Sequence, residues 1–186
     1  MHSILLCRPV PITGVLGNSF HAIIVIHVIK FQTMNIWRPP IKAKVFEAFG
    51  ALADHRVVLK TDQQAEVTSS GLDQKYVVKW DRDRKAFSSN DNASRWQGTI
   101  GYQIIAVLLE LNVLKYDGSI AGQLAGIKWK TLNDQAKRDY DLVIQNVLSG
   151  IEVNGGDRAR IELEVDRIHD QLLELKLQKL TPGGNT

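Results

Sequence analysis

One stretch of the chain, residues 98–114, is apolar around nearly the whole circumference of a helix. Its polar residues Thr99, Gln103 and Glu110, with Ala106 in the same row, recur at spacings of four, three and four. Such a helix is normally buried between other elements. At roughly 25 Å it is short for a membrane crossing. We therefore predict that residues 98–114 form the central core helix.

The start of this helix is predicted from a polar run that precedes it. Ser94 and Gln97 have the spacing of a capping box, in which each side chain accepts a free backbone N–H of the first turn. We expect the helix to begin near Asn92 or Ser94.

Before this helix the chain alternates in the manner of β-strands. Tyr76, Val78 and Trp80 fall on one face of a strand and the lysines between them on the other. The turns between runs are short, which favours an antiparallel meander. The predicted strands cover residues 56–60, 65–69, 75–81 and 85–89.

Apolar residues at helical spacing predict helices on both sides of this meander. The first runs from Ile41 to about Ala53. After the core helix we predict a short helix capped by Asp117, a helix over residues 132–148 closed by Gly150, and a last helix that begins at Asp157. The last helix carries one buried row, which comprises Ile161, Val165, Ile168, Leu172 and Leu175.

These elements predict an α+β fold with an N-terminal helix, a three- or four-stranded antiparallel meander and a mostly helical C-terminal half packing on the sheet. Residues 34–180 form a single domain in this interpretation, and residues 181–186 form a flexible tail.

Residues 1–33 differ from the rest of the chain, and we expect a poorly structured or spurious extension. They contain two basic residues and no acidic one, and their apolar run over 22–29 is too short to span a bilayer. One interpretation is an early strand or tail of the native protein. The other, which we favour, is that Met34 is the true start.

Composition narrows the classes of function. The net charge of +3 falls to +1 when residues 1–33 are set aside, which makes nucleic-acid binding unlikely on electrostatic grounds. Cys7 is the single cysteine, so the body of the chain has no disulfide or thiolate chemistry, and we expect a cytoplasmic protein without membrane association.

Motifs of nucleotide, metal and nucleophile sites are missing from the sequence. Outside residues 1–33 the histidines are His55 and His169, and we interpret both as ordinary residues. We therefore expect no metal and no cofactor.

One polar cluster between the last predicted strand and the core helix is a candidate ligand site. The free N–H groups of a first helical turn beside a cation could hold a phosphate or carboxylate, and a tryptophan could stack on a sugar or base. The alternative is purely structural, because such residues also serve turns and caps. The candidate residues are Asn90, Asp91, Asn92, Ser94, Arg95, Trp96 and Gln97.

The first functional hypothesis is a non-catalytic binding or interaction domain with a small anionic ligand at residues 88–97. The second is an enzyme with a carboxylate and arginine site around Asp91 and Arg95. A concave pocket that joins Asp91 to a second titratable group would favour the enzyme, and a flat or filled junction would favour the binding domain. Nucleic-acid binding is the weaker alternative.

The last helix also suggests a homodimer. Leu173, Leu177 and Leu180 form a second apolar row beside its buried row, and such a row often contacts a partner helix.

Overall fold

A buried helix packs against a mostly antiparallel sheet in the computed structural model, which describes residues 35–180. The predicted extension over residues 1–33, the proposed start at Met34 and the tail over 181–186 lie outside the described residues. The elements in chain order are helix α1 (Ala43–Ala53), strands β1 (Val57–Thr61), β2 (Gln64–Thr68), β3 (Lys75–Asp81) and β4 (Ala86–Ser89), a π-helical turn (Ala93–Gln97), helices α2 (Tyr102–Glu110), α3 (Gly118–Gly122), α4 (Trp129–Gln135), α5 (Tyr140–Val153) and α6 (Arg158–Leu175), and strand β5 (Gln178–Lys179).

The α+β prediction is confirmed. Strands β1 to β4 follow one another as an antiparallel meander, and the C-terminal half is mostly helical. The sheet has one more strand than predicted, because β5 pairs parallel to β4 through Ala86 with Gln178 and Phe87 with Lys179. Residues this close to a helix end carry too short a pattern to predict a strand.

The predicted faces of β3 are also observed. Val78 and Trp80 are buried against the core, whereas Lys75 and Lys79 are exposed on the opposite face. Successive side chains of a strand point to opposite faces, so the lysines do not share a surface with Trp80.

Helix α2 is the predicted core helix, and its burial is confirmed. The side chains from Ile104 to Leu108 are 0% exposed. The helix packs against α1 and against strands β1, β3 and β4. Gln103, which belongs to the polar row of this helix and was therefore expected to face solvent, is only 4% exposed.

The predicted bounds of this helix are wrong. Gly98 adopts a left-handed φ of 62° and ends the π-helical turn, and the backbone then pairs with Arg38, whose amide donates to the carbonyl of Gly98. The helix proper therefore begins at Tyr102 and ends at Glu110. The apolar pattern runs without a break from residue 98, but the left-handed glycine and the pairing with Arg38 end the helical backbone before Tyr102.

The predicted capping box is wrong as well. Asp91, not Ser94, provides the cap, since its Oδ1 accepts from the Ser94 amide at 3.0 Å and its Oδ2 accepts from the Ser94 hydroxyl at 2.7 Å.

The predicted helix over residues 132–148 is two helices, α4 and α5. The break lies at Lys137 and Arg138, which both have left-handed φ angles of 51° and 67°. Asp139 then caps α5 by accepting from the Leu142 amide at 3.1 Å. Gly150 lies inside α5 and does not close it, because exposed glycine is tolerated in a helix at modest cost.

The caps predicted for the other helices are confirmed. Asp117 accepts from the Ser119 amide at 2.9 Å, and Asp157 accepts from the Arg160 amide at 3.0 Å. Among the helices of residues 35–180, none combines the length and apolarity that a bilayer crossing requires.

The buried row of α6 is largely confirmed, since Ile161, Val165, Ile168 and Leu172 are at most 3% exposed. The second row is not a helix face. Helix α6 ends at Leu175, Leu177 is 2% exposed within the core, and the Leu180 amide donates to the Phe87 carbonyl. Of the three leucines in the predicted second row, only Leu173 is an exposed residue of α6, so Leu173, Leu177 and Leu180 do not form one continuous helix face.

We predict that Gly50→Ala destabilises the protein. The Cβ of an alanine at this position in α1 would lie 2.6 Å from Trp129 Nε1 and 3.3 Å from the Leu124 carbonyl oxygen. Overpacking of this kind costs about 1–3 kcal/mol against a gain of about 1 kcal/mol in helix propensity, so we expect a net loss of up to about 2 kcal/mol in the free energy of unfolding. Urea denaturation followed by circular dichroism measures the free energy of unfolding.

Gly150→Ala is the matched control, because nothing lies within 4 Å of its added Cβ in α5. This variant should be as stable as the parent or up to about 1 kcal/mol more stable. Equal gains in both variants would show that Trp129 does not pack against Gly50 as described.

Candidate functional site

A cavity of about 240 Å³ opens where the sheet, helix α1, the start of α2 and the α4–α5 connection meet. Its walls come from segments far apart in the chain, including Glu47 of α1, Arg56 before β1, Tyr76 of β3, Gln103 of α2 and Trp129 of α4. The cavity thus combines buried polar groups with aromatic side chains, as small-molecule sites usually do.

Three of the seven candidate residues line this cavity, namely Asp91, Asn92 and Gln97. They come from the π-helical turn and the residues immediately before it. The position of the predicted cluster at the junction of sheet and helix therefore coincides with one wall of the cavity.

The other four candidate residues are not among the lining residues. Asn90 ties β3 to the end of β4, because its Oδ1 accepts from the Val77 amide at 2.8 Å. Ser94 is buried beneath Asp91. Arg95 is exposed and Trp96 is 81% exposed. Arg95 and Trp96, which were predicted from the sequence to contact the ligand, thus lie outside the cavity.

Arg56 is a cation of the cavity wall that the sequence did not reveal. It is 6% exposed, its Nε donates to Asp54 Oδ2 at 3.2 Å, and its Nη1 donates to the Thr68 carbonyl at 2.8 Å. Its Nη2 is buried and has no hydrogen-bond partner among the described residues. Buried guanidinium nitrogens are nearly always bonded, so Nη2 retains the capacity to donate to one more acceptor.

Asp91 is a buried carboxylate on the same cavity, 4% exposed. Both its oxygens accept hydrogen bonds from Ser94. Within residues 35–180 no lysine, arginine or histidine forms a salt bridge with it. Its negative charge is therefore balanced by hydrogen bonds alone.

Most other charges on the wall are paired. Glu47 accepts from Lys44 at 2.7 Å and from Asn133 at 3.0 Å, and Lys130 is bonded to Asp73. These contacts hold α1, α4 and the β2–β3 turn together around the cavity. Arg56 is also paired, with Asp54, and only its Nη2 lacks an acceptor, whereas Asp91 has no cationic partner within residues 35–180.

Aromatic side chains supply the apolar part of the wall. Tyr76 and Tyr102 meet edge to face with ring centroids 6.4 Å apart, and Lys44 Nζ lies 4.5 Å from the centroid of the Tyr140 ring. Burial raises the pKa of Tyr102 well above its ordinary value, and burial together with the charge of Asp91 raises the pKa of Tyr76. Both phenols are neutral at physiological pH.

No group of three or more His, Cys, Asp or Glu side chains in the described part of the chain is arranged to hold a metal ion. The cavity offers hydrogen-bonding and aromatic contacts instead.

The cavity residues that were not predicted from the sequence have weak local signals or none. Gln103 is a polar residue in an otherwise apolar helix, and its burial marks a polar group in the core. Arg56 and Glu47 have no local signal, because a charge beside a strand or on a helix is ordinarily solvated.

The comparisons place the chain in a family without adding an activity. A family model described as "Uncharacterised conserved protein UCP014422" matches residues 37–178. No curated protein and no solved structure matches the chain significantly.

We predict that the free energy of unfolding falls less steeply at alkaline pH in Tyr102→Phe than in the parent protein. Because the fold raises the pKa of Tyr102 above 10.0, its contribution to stability is fully present below about pH 10 and is lost as the pH rises through the folded-state pKa. Phenylalanine has no ionisable group, so the variant should lose less free energy of unfolding above pH 10. Denaturant titrations at several pH values measure it, and identical pH profiles would contradict the burial of this phenol.

Proposed function

Since the chain belongs to the family of the uncharacterised conserved protein UCP014422, we propose its function from the cavity: it binds a small anionic metabolite there, and Arg56 holds the anion. The binding site of this proposal includes Asp91, Asn92 and Gln97 of the sequence-based candidates. It replaces Arg95 by Arg56 as the cation.

The unpartnered Nη2 of Arg56 is the observation that carries this proposal. Asp54 and the Thr68 carbonyl accept hydrogen bonds from Nε and Nη1 and hold the guanidinium in place, so Nη2 is the nitrogen without an acceptor. An anionic oxygen would complete its hydrogen bonding, and such bonds to charged groups contribute about 1.5–3 kcal/mol. Nη2 is covered by neighbouring atoms, so contact with the ligand involves a side-chain adjustment of the kind common on binding.

An enzyme is the second candidate, and the same cavity favours it. The cavity joins Asp91 to further titratable groups, among them Glu47 and Tyr76. This concave arrangement is the one expected of a catalytic site, with Asp91 as a candidate proton acceptor. Arg95 has no part in this version, because it lies outside the cavity.

We predict that Arg56→Gln weakens the binding of small anions about 10- to 100-fold, through loss of a charge-assisted hydrogen bond. Inorganic phosphate and a set of small carboxylates, including 3-phenylpropionate, serve as probes in thermal-shift assays followed by calorimetry. Circular dichroism verifies that the variant is folded.

Arg95→Gln is the matched control, because it removes an exposed arginine close to the cavity but outside its wall. It should leave anion affinity unchanged within about twofold. If the Arg95 variant loses binding and the Arg56 variant keeps it, the anion binds at the exposed segment over residues 88–97 and not in the cavity.

A test of the enzyme candidate uses the ligands found in this way. We expect that, if the cavity is catalytic, the parent protein converts such a ligand and Asp91→Asn abolishes the conversion while retaining much of the affinity. NMR of the ligand over hours of incubation measures turnover. If the parent protein converts none of these ligands, the enzyme candidate is wrong and the binding function remains.

A further inference from the structure

We propose that the ligand carries a primary ammonium group in addition to its anion, and that it is a small amino acid. This inference rests on the proposed function, because it assigns the second end of a ligand whose anionic end is held by Arg56. It is drawn from a different part of the wall, the acceptor corner formed by Asp91, Gly101 and Gln103.

Two oxygens converge at the acceptor corner. The point at which a Cβ would stand on Gly101 lies 2.6 Å from Gln103 Oε1 and 2.7 Å from Asp91 Oδ1. Because Gly101 has no side chain, nothing of its own separates these two acceptors. All three residues line the cavity.

Both acceptors lack what an ammonium would supply. Gln103 is 4% exposed, and its Oε1 has no donor among the described residues. Asp91 is equally buried and receives hydrogen bonds from Ser94, but it has no cationic partner within residues 35–180. Buried acceptors without donors are rare, and buried carboxylates are usually paired with a cation.

An ammonium group fits this corner better than a neutral donor. It presents three N–H donors and one positive charge, so it can bond Gln103 and Asp91 together and also compensate the carboxylate. A hydroxyl or amide would provide one or two donors and leave the charge of Asp91 as it is. Gln103 Oε1 is covered by neighbouring atoms, so a rotation of its side chain accompanies binding.

The remaining walls limit the rest of the ligand. A volume of about 240 Å³ is below the roughly 300–1,000 Å³ of pockets that take drug-sized molecules. Tyr76, Tyr102 and Trp129 offer aromatic surface. A free amino acid with an apolar or aromatic side chain matches this size and lining.

The test compares molecules that differ in one group only. L-Phenylalanine carries both charges, 3-phenylpropionate lacks the ammonium, and phenethylamine lacks the carboxylate; L-leucine is tested with its corresponding acid and amine. Calorimetry on the full chain measures each affinity. We expect at least one amino acid to bind tenfold or more tightly than both of its single-charge analogues.

Variants then assign this preference to the acceptor corner. Gln103→Met keeps a similar volume and removes the acceptor, so it should reduce the advantage of the amino acid over its deaminated analogue to less than threefold. Gln135→Met, which is exposed on α4 and outside this cavity, is the matched control and should keep the full preference. The ligand comparison on the parent chain decides the proposal even if Gln103→Met fails to fold.

The outcomes separate this inference from the proposed function. Equal binding of amino acids and deaminated acids, with loss of both in Arg56→Gln, would overturn the ammonium site and keep the anion site. Binding of neither amino acids nor carboxylates, with no response to inorganic phosphate, would overturn both. Amines that bind as tightly as amino acids would keep the acceptor corner but overturn the amino acid and the anion site.

Discussion

The burial of helix α2 is the constraint on which the rest of the structure depends. Its side chains from Ile104 to Leu108 are completely covered, by α1 and by the strands. Burying each large apolar side chain contributes about 1.5–3 kcal/mol, so the sheet and α1 are held to the same helix. The cavity lies at the N-terminal end of α2, where Gln103 brings a polar side chain to the edge of this apolar core.

The polar groups around the cavity are organised by contacts between distant parts of the chain. Glu47 bonds Lys44 in its own helix and Asn133 of α4. Asp54 links Arg56 to the Gly126 amide, and the Ser70 hydroxyl accepts from the Lys130 amide. Such buried and half-buried networks fix the wall geometry, because each missing partner leaves a desolvated polar group.

Two buried side chains of opposite charge line the cavity. Arg56 is paired with Asp54 but keeps one nitrogen without an acceptor, and Asp91 has no cationic partner in the described part of the chain. A site that presents both favours ligands with two complementary groups over simple anions, since each wrong ligand leaves one buried group unsatisfied.

Elements with a local residue pattern could be predicted from the sequence alone. Alternation in β3, the apolar circumference of α2 and the caps at Asp117 and Asp157 each involve residues close together in the chain, so periodicity and cap chemistry suffice to predict them. The ends of these elements depend on tertiary structure. The left-handed Gly98, the break at Lys137 and Arg138, and the pairing of β5 with β4 depend on contacts that no local pattern contains. Tertiary structure also determined which residues line the cavity: Asp91, Asn92 and Gln97 were among the candidates from the sequence, whereas only folding brought Arg56, Gln103 and Trp129 to the same cavity.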